Sequence, residues 1–187
     1  IIYLDSVKIV NYNLNIVKMK GIEEMENKPY HHGDLRNSLI EAGIELINTD
    51  GEKQFSLRKV SKLCGVSQAA PYSHFQDKED LLKAMQEHVT NQFMEILEKG
   101  VNCCSNTKDP RTILEMGKSY VMFFVNNPQY FHFLFSQPCM EINLSLDEDG
   151  TKNYPPFELL KTTVFHVFGD SGMSKERMED KIISLWA

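Results

Sequence analysis

No run of apolar residues in this 187-residue sequence approaches the roughly 20 needed to cross a bilayer as a helix, so no membrane partner is expected. A basic segment followed by an apolar block and a small-residue cleavage site is also missing, and no signal-peptide architecture is visible. Cysteine is scarce. Cys64, Cys103, Cys104 and Cys139 form no C-x-x-C and no Cys/His group of zinc-site spacing, so neither a metal nor a cofactor is expected. Free reduced thiols are the plain reading. A redox role for the adjacent pair Cys103-Cys104 is the alternative, but nothing basic flanks it closely enough to lower a thiol pKa. No nucleophile elbow, phosphate-cradling glycine loop or carboxylate pair beside a histidine occurs, which argues against an enzyme. Low-complexity runs and internal repeats are absent too. The length suits one compact helical protein, or a small head fused to a larger bundle.

Positive charge is in deficit overall, at a formal net charge of −6, but it is not evenly spread. Between Ser56 and Lys78 four bases (Arg58, Lys59, Lys62, Lys78) stand against the single acid Asp77. A basic face on an acidic body attracts phosphate locally, while the body discourages indiscriminate binding. The same stretch, SLRKVSKLCGVSQAAPYSHFQDK, reads as two short helices joined by a tight turn. Ser56 is a good N-cap, and Leu57, Val60 and Leu63 place one apolar stripe on the first helix. Cys64-Gly65 ends it, because glycine takes the left-handed conformation without a steric penalty. Ser67 is a second N-cap, and Gln68 to Phe75 is expected to form a helix of about two turns. Its small residues Ala69 and Ala70 let a backbone approach the floor of a major groove, with polar tips (Gln68, Ser73, His74) around them.

This stretch, together with YHHGDLR at Tyr30–Arg36 and AAPYSHFQDKEDLL at Ala69–Leu82, resembles the tetracycline-repressor (TetR) family of bacterial transcription regulators. The similarity runs from Tyr30 to about Gly100 and more faintly to the end. It is strongest to the subgroup with a YHHGDLR-type start and a Trp-His-Gly-type C-terminal domain. Members of that subgroup continue past a tryptophan like Trp186 into a His-Gly pair and one more long helix, which pairs with its copy in a dimer. The sequence here stops at Ala187, so either that domain is truncated or the dimer surface differs.

The expected fold is all-α. Residues 1–28 have no helical or strand period and are read as an extension, disordered or not native to the fold, with Met19 and Met25 as candidate starts. A DNA-touching arm is the alternative there, supported only by Lys8, Lys18, Lys20 and Lys28. Residues 29–76 form a three-helix helix-turn-helix head. Its first helix spans Asp34–Asn48, with Leu35, Leu39, Ala42, Leu46 and Ile47 in helical register, and Phe55 sits at the hydrophobic-staple position before Ser56. Residues 77–100 form a long connecting helix. Residues 101–187 form a helical regulatory domain, with helices over the stretch after Pro110, over Pro128–Ser136, over Phe157–Phe168, and after Ser174. Ile142–Pro156 is acidic and turn-rich and reads as a loop.

For DNA contact the candidates are Ser56, Arg58, Ser67, Gln68, Ala70, Tyr72, His74 and Lys78. Gln68 suits base readout, since its amide donates to and accepts from adenine at once. Ala69 and Ala70 can touch only a thymine methyl. The resemblance places backbone contacts at Tyr72, His74 and Lys78. Phe75 reads as core. Lys59 and Lys62 read equally well as a solvated helix face. His31 and His32 lack a third ligand and read as structural or DNA-flanking.

The C-terminal half is rich in aromatics, most of them core. By resemblance, Tyr120, Phe124, Phe131, His132, Phe165 and His166 are candidate liners of an effector pocket. The resemblance implies a cytoplasmic, nucleoid-associated homodimer that binds double-stranded operator DNA and is released by a small, largely apolar effector. A ligand-independent architectural or division-control protein on the same fold is the alternative.

Overall fold

The computed structural model describes residues 34–135 and 153–186, and over these the chain is helical with no strand. The N-terminal extension, the start of the YHHGDLR motif with His31 and His32, Cys139 and most of the acidic loop lie outside the described residues. Contacts divide the chain into Ile1–Asn37 and Ser38–Ala187. Of the first unit only its last four residues are described, where the Asp34 carboxylate receives the Asn37 backbone N–H at 3.2 Å. None of the described helices is long and apolar enough to cross a membrane.

Among the described residues seven α-helices follow in order: α1 Leu35–Asp50, α2 Leu57–Leu63, α3 Lys78–Asn102, α4 Arg111–Asn126, α5 Pro128–Phe135, α6 Pro155–Phe168 and α7 Lys175–Trp186. Their boundaries have local causes. Ser56 caps α2 by accepting the Lys59 N–H at 3.3 Å. At the other end of α2, Gly65 has φ +65°, and the N–H groups of Gly65 and Val66 return to the carbonyls of Lys62 and Ser61. That pair of bonds is a Schellman stop, which only glycine enters without strain. Asp77 caps α3 through the Asp80 N–H at 2.8 Å. Asn127-Pro128 separates α4 from α5 because proline disfavours a helical residue before it. α6 begins two residues earlier than the apolar pattern predicts, since Pro155 and Pro156 occupy the first turn, where no N–H is required. Ser174 receives the Arg177 N–H at 3.4 Å, as expected of a cap for α7.

Removing the Ser56 hydroxyl isolates one of these causes. Ser56→Ala is expected to lower unfolding free energy by about 1 kcal/mol, measured by urea denaturation.

A head core gathers Leu39, Ile40, Ile44 and Ile47 of α1, Phe55, Leu57 and Val60 of the α2 region, Phe75, and Leu81 and Met85 of α3, all buried. The body core continues along the rest of α3. Phe93, fully buried, has the rings of Phe124, Phe123 and Tyr120 at 4.7, 5.0 and 5.3 Å. Trp186 of α7 closes the other side against Phe157, Tyr120 and Tyr154 at 5.3, 5.7 and 6.2 Å. α3 lies close against α4 at Gly100, where a Cβ would stand 2.5 Å from Ser119 Oγ and 3.0 Å from the Glu115 carbonyl oxygen. On its outer face α4 exposes Leu114, Val121, Met122 and Val125, opposite its buried Thr112, Met116 and Phe123.

Candidate nucleic-acid interface

The second element of the helix-turn-helix departs from the expected two-turn α-helix over Gln68–Phe75. Turns at Gln68 and Ala69 lead into a 3-10 segment, Ala70–Ser73. The cause is Pro71, which has no N–H to donate, so the N–H groups of Ala70, Tyr72 and His74 close onto carbonyls three residues back. The second expected cap is different as well. At Ser67 the carbonyl takes the Ala70 N–H at 3.0 Å, and the segment has no side-chain cap bond.

Pro71 and Phe75 are buried and pin this segment to the head core, while Ser67, Gln68, Ala69, Tyr72, Ser73 and His74 are exposed. Tyr72 is 62% exposed, so its ring is not a core aromatic and its hydroxyl is available at the surface. Gln68 is exposed and Ala70 is half-buried. Arg58 and Lys62 of α2 are exposed as well. The hydroxyl of Ser56 is committed to its cap. Lys59 is held by the Gln54 side chain at 3.0 Å and Asp50 at 3.5 Å, a bracing role inside the head. Lys78 is half-buried: its ammonium donates to the Glu52 carbonyl at 3.5 Å and lies 5.8 Å from the centre of the Phe55 ring. It thus steadies the head and stands next to the exposed segment, with two of its three N–H donors still to place.

The candidate effector liners separate into two groups. Tyr120, Phe124 and Phe131 meet ring to ring, Phe124 standing 5.3 Å from Tyr120 and 5.4 Å from Phe131. Phe135 joins them at 5.7 Å from Phe124 and 5.1 Å from Phe131. His132 and Phe165 are half-buried, and His166 is exposed and hydrogen-bonded to Thr107 at 2.9 Å. The hub of the aromatic cluster, Phe93, is a residue that sequence reasoning leaves outside any site. Its even spacing with Val89 and Leu97 on α3 marks it as core and nothing more.

A polar junction that no local pattern announces links the head helix α1 to α3 and α5. Tyr130 of α5 donates its hydroxyl to Glu41 Oε1 of α1 at 2.6 Å. The same carboxylate oxygen is 2.8 Å from His88 Nε2 of α3, which is 2.7 Å from the Gln92 side chain one turn on. Gln92 in turn donates to the Tyr130 hydroxyl at 3.4 Å, and Asn48 of α1 donates to the Gln129 carbonyl at 2.9 Å. Burial, reinforced by the Glu41 carboxylate, pushes the Tyr130 pKa from 10.0 up to about 12. Burial likewise pushes Tyr154, whose hydroxyl receives Thr90 Oγ1 at 3.3 Å, up to about 12.

Both phenols hold their protons more tightly folded than unfolded. The stability they contribute is full below pH 10.0 and is lost as pH rises toward about 12. Alkaline unfolding is therefore expected to steepen across that window by up to about 1.4 kcal/mol per pH unit for each ring. Tyr130→Phe should remove one ring's share, read by urea denaturation at a series of pH values.

Residues 39–85, which hold most of the head and the start of α3, match the family model for bacterial regulatory proteins of the tetR family. A fatty acid metabolism regulator protein of Bacillus subtilis is 30% identical over 71 residues, a stretch covering 38% of this chain and 37% of that protein. The chain thus spans little more than a third of the length of the curated relative it matches. Among solved structures, a TetR-family transcriptional regulator from Haemophilus influenzae superposes with a TM-score of 0.52 at 21% identity, over 82% of this chain and 94% of that one. A fatty acid degradation regulator from Bacillus halodurans does so with a TM-score of 0.51 at 14% identity, over 83% and 82%. These structures share the all-helical fold, head and body together. With the motif at Ser56–Lys78 folded as a capped helix, a glycine stop and an exposed polar segment, residues 39–85 are similar to the segment that defines the tetR family of bacterial regulatory proteins.

Proposed function

We propose that the protein is a ligand-responsive transcriptional regulator: a cytoplasmic repressor that binds a pseudo-palindromic operator as a homodimer and is released by a small, largely apolar molecule. The observation that carries this reading is the Ser67–His74 segment, polar and exposed on one side and anchored by buried Pro71 and Phe75 on the other. Residues 29–76 serve as the head, 77–100 as the connector and 101–187 as the regulatory body. Gln68 reads a base edge, Ala70 sets the fit against the groove floor, and Arg58, Ser67, Tyr72, His74 and Lys78 hold phosphates. Ser56 contributes through the cap that fixes the start of α2.

Tyr120, Phe124 and Phe131 line the effector site, with His132, Phe165 and His166 as its outlying members. A molecule that prefers one arrangement of this ring cluster shifts α5, and with it Tyr130 and Gln129, whose bonds reach Glu41 and Asn48 of the head. A coupling of about 1–3 kcal/mol through that junction gives roughly a 5- to 150-fold change in operator affinity. The exposed strip Leu114–Val121–Val125 on α4 is apolar surface of the kind a second subunit covers.

Salt dependence provides the test. Binding to a duplex recovered by selection should weaken linearly on a log–log plot of affinity against salt. Arg58→Ala should flatten that slope by about 0.9 for each phosphate the guanidinium no longer neutralises. A slope unaltered by Arg58→Ala, with affinity also unchanged, would remove that residue from the interface. A panel of apolar metabolites, scored by thermal shift, separates the ligand-responsive reading from a ligand-independent one: a stabilising compound that also releases DNA supports the former.

A further inference from the structure

The turn between α3 and α4 carries two adjacent cysteines that DNA reading and effector coupling leave unused. Cys103 follows the last residue of α3 with φ −72° and ψ −20° and is exposed, and Cys104 is half-buried. Their sulfurs stand 3.8 Å apart. Adjacent Cα atoms across a trans peptide are about 3.8 Å apart, whereas disulfides span roughly 4.4–6.8 Å between Cα atoms. A direct S–S bond between these neighbours is therefore strained, although the thiols are presented together. An atom that bridges both sulfurs meets no such restriction.

The choice of bridging atom is narrow. Structural zinc requires four ligands, and no group of three or more His, Cys, Asp or Glu able to hold a metal occurs among the described residues. Desolvation, and the hydrogen bond with Cys104, push the Cys103 thiol pKa up, which makes it a poor thiolate nucleophile toward peroxide. What fits two adjacent thiols with no third ligand among the described residues is an electrophilic centre with two exchangeable positions, able to take up sulfur while releasing the thiol protons as water.

We propose that Cys103 and Cys104 form a two-thiol site for a trivalent, monosubstituted arsenical, RAs(OH)₂. At each sulfur one As–O bond breaks and one As–S bond forms, and the thiol proton leaves with the hydroxide as water. Two waters are released, arsenic stays trivalent, and no oxidant or reductant enters. The second sulfur bonds intramolecularly, so the chelate gains over a single-thiol adduct by on the order of 10²–10⁴-fold in retention. The ring so formed fastens the end of α3 to the turn leading into α4, next to the close α3–α4 approach at Gly100.

Phenylarsine oxide is the probe, and intact-protein mass spectrometry with tryptic mapping is the readout. The expected result is a one-to-one adduct on the peptide Gly100–Lys108 that survives excess 2-mercaptoethanol and is stripped by a dithiol. Cys64→Ser should retain it. Cys103→Ser and Cys104→Ser, conservative turn variants whose circular dichroism should match the parent, should each lose that retention by at least about 100-fold. An adduct in the parent that the monothiol removes as readily as from Cys103→Ser would overturn the proposal. So would arsenic mapped to peptides carrying Cys64 or Cys139 instead.

Discussion

Gln68→Ala is expected to weaken binding to the cognate duplex by roughly 5- to 150-fold per half-site, the equivalent of about 1–3 kcal/mol for one bidentate hydrogen-bond pair to a base. In a dimer the effect occurs twice. The same substitution should relax sequence preference at one symmetric position and leave the salt slope unchanged, because an amide releases no counterion. Tyr72→Phe should behave differently. It deletes only a hydroxyl that is exposed at the surface, so it should cost affinity evenly across sequences, by about 1.5–3 kcal/mol for a hydrogen bond to a charged phosphate. Both substitutions lie on exposed positions and should leave the unfolding midpoint of the free protein within error. Electrophoretic mobility shift or anisotropy titration against a selected duplex and single-base variants of it separates the two behaviours. Equal, sequence-independent losses for both residues would remove Gln68 from base readout.

The other large effect concerns stability. Phe93 is fully buried on α3 with three aromatic rings within 5.3 Å, so Phe93→Ala should cost about 3–5 kcal/mol. For a chain of this size that lowers the melting temperature on the order of 10 °C. Offset rings at these centroid distances also contribute about 0.5–1.5 kcal/mol per pair beyond burial, which places the expected cost in the upper half of the range. Phe93→Leu, which keeps most of the volume, should recover more than half of the loss. A Phe93→Ala protein that melts within a degree or two of the parent would mean that the ring cluster does not hold the body together.

The helices themselves are legible in the sequence because their ends depend on single residues. Asn127-Pro128 and Ser174 mark boundaries found within a residue or two, and Gly65 stops α2 at φ +65° as its position implies. Burial of Phe75 agrees with its reading as core, whereas the exposure of Tyr72 does not follow from spacing, because residues three apart share a helix face. The Gln68–Phe75 stretch misleads for one reason. Apolar spacing cannot distinguish an α-turn from a 3-10 turn, and the missing N–H of Pro71 decides between them. Lys78 reads as a phosphate contact, and Lys59 as that or a solvated base, because charge shows in a sequence. The groups that hold them, Asp50, Gln54 and the Glu52 carbonyl, become neighbours only on folding. The same holds more strongly for the head–body junction. Glu41, His88, Gln92 and Tyr130 come from three helices, and only His88 and Gln92 share a spacing that a sequence displays.

The most direct test of the central claim is selection of bound duplexes from a random DNA pool by the parent protein beside a Gln68→Ala, Tyr72→Ala variant. The expected outcome is a two-fold symmetric motif whose half-sites lie about one helical turn apart or somewhat more, near 34–36 Å at the closest spacing. The variant should fail to enrich it. Enrichment of the same motif by both proteins would contradict the assignment of the Ser67–His74 segment as the reading element, and absence of any enriched motif from the parent would contradict sequence-specific DNA binding.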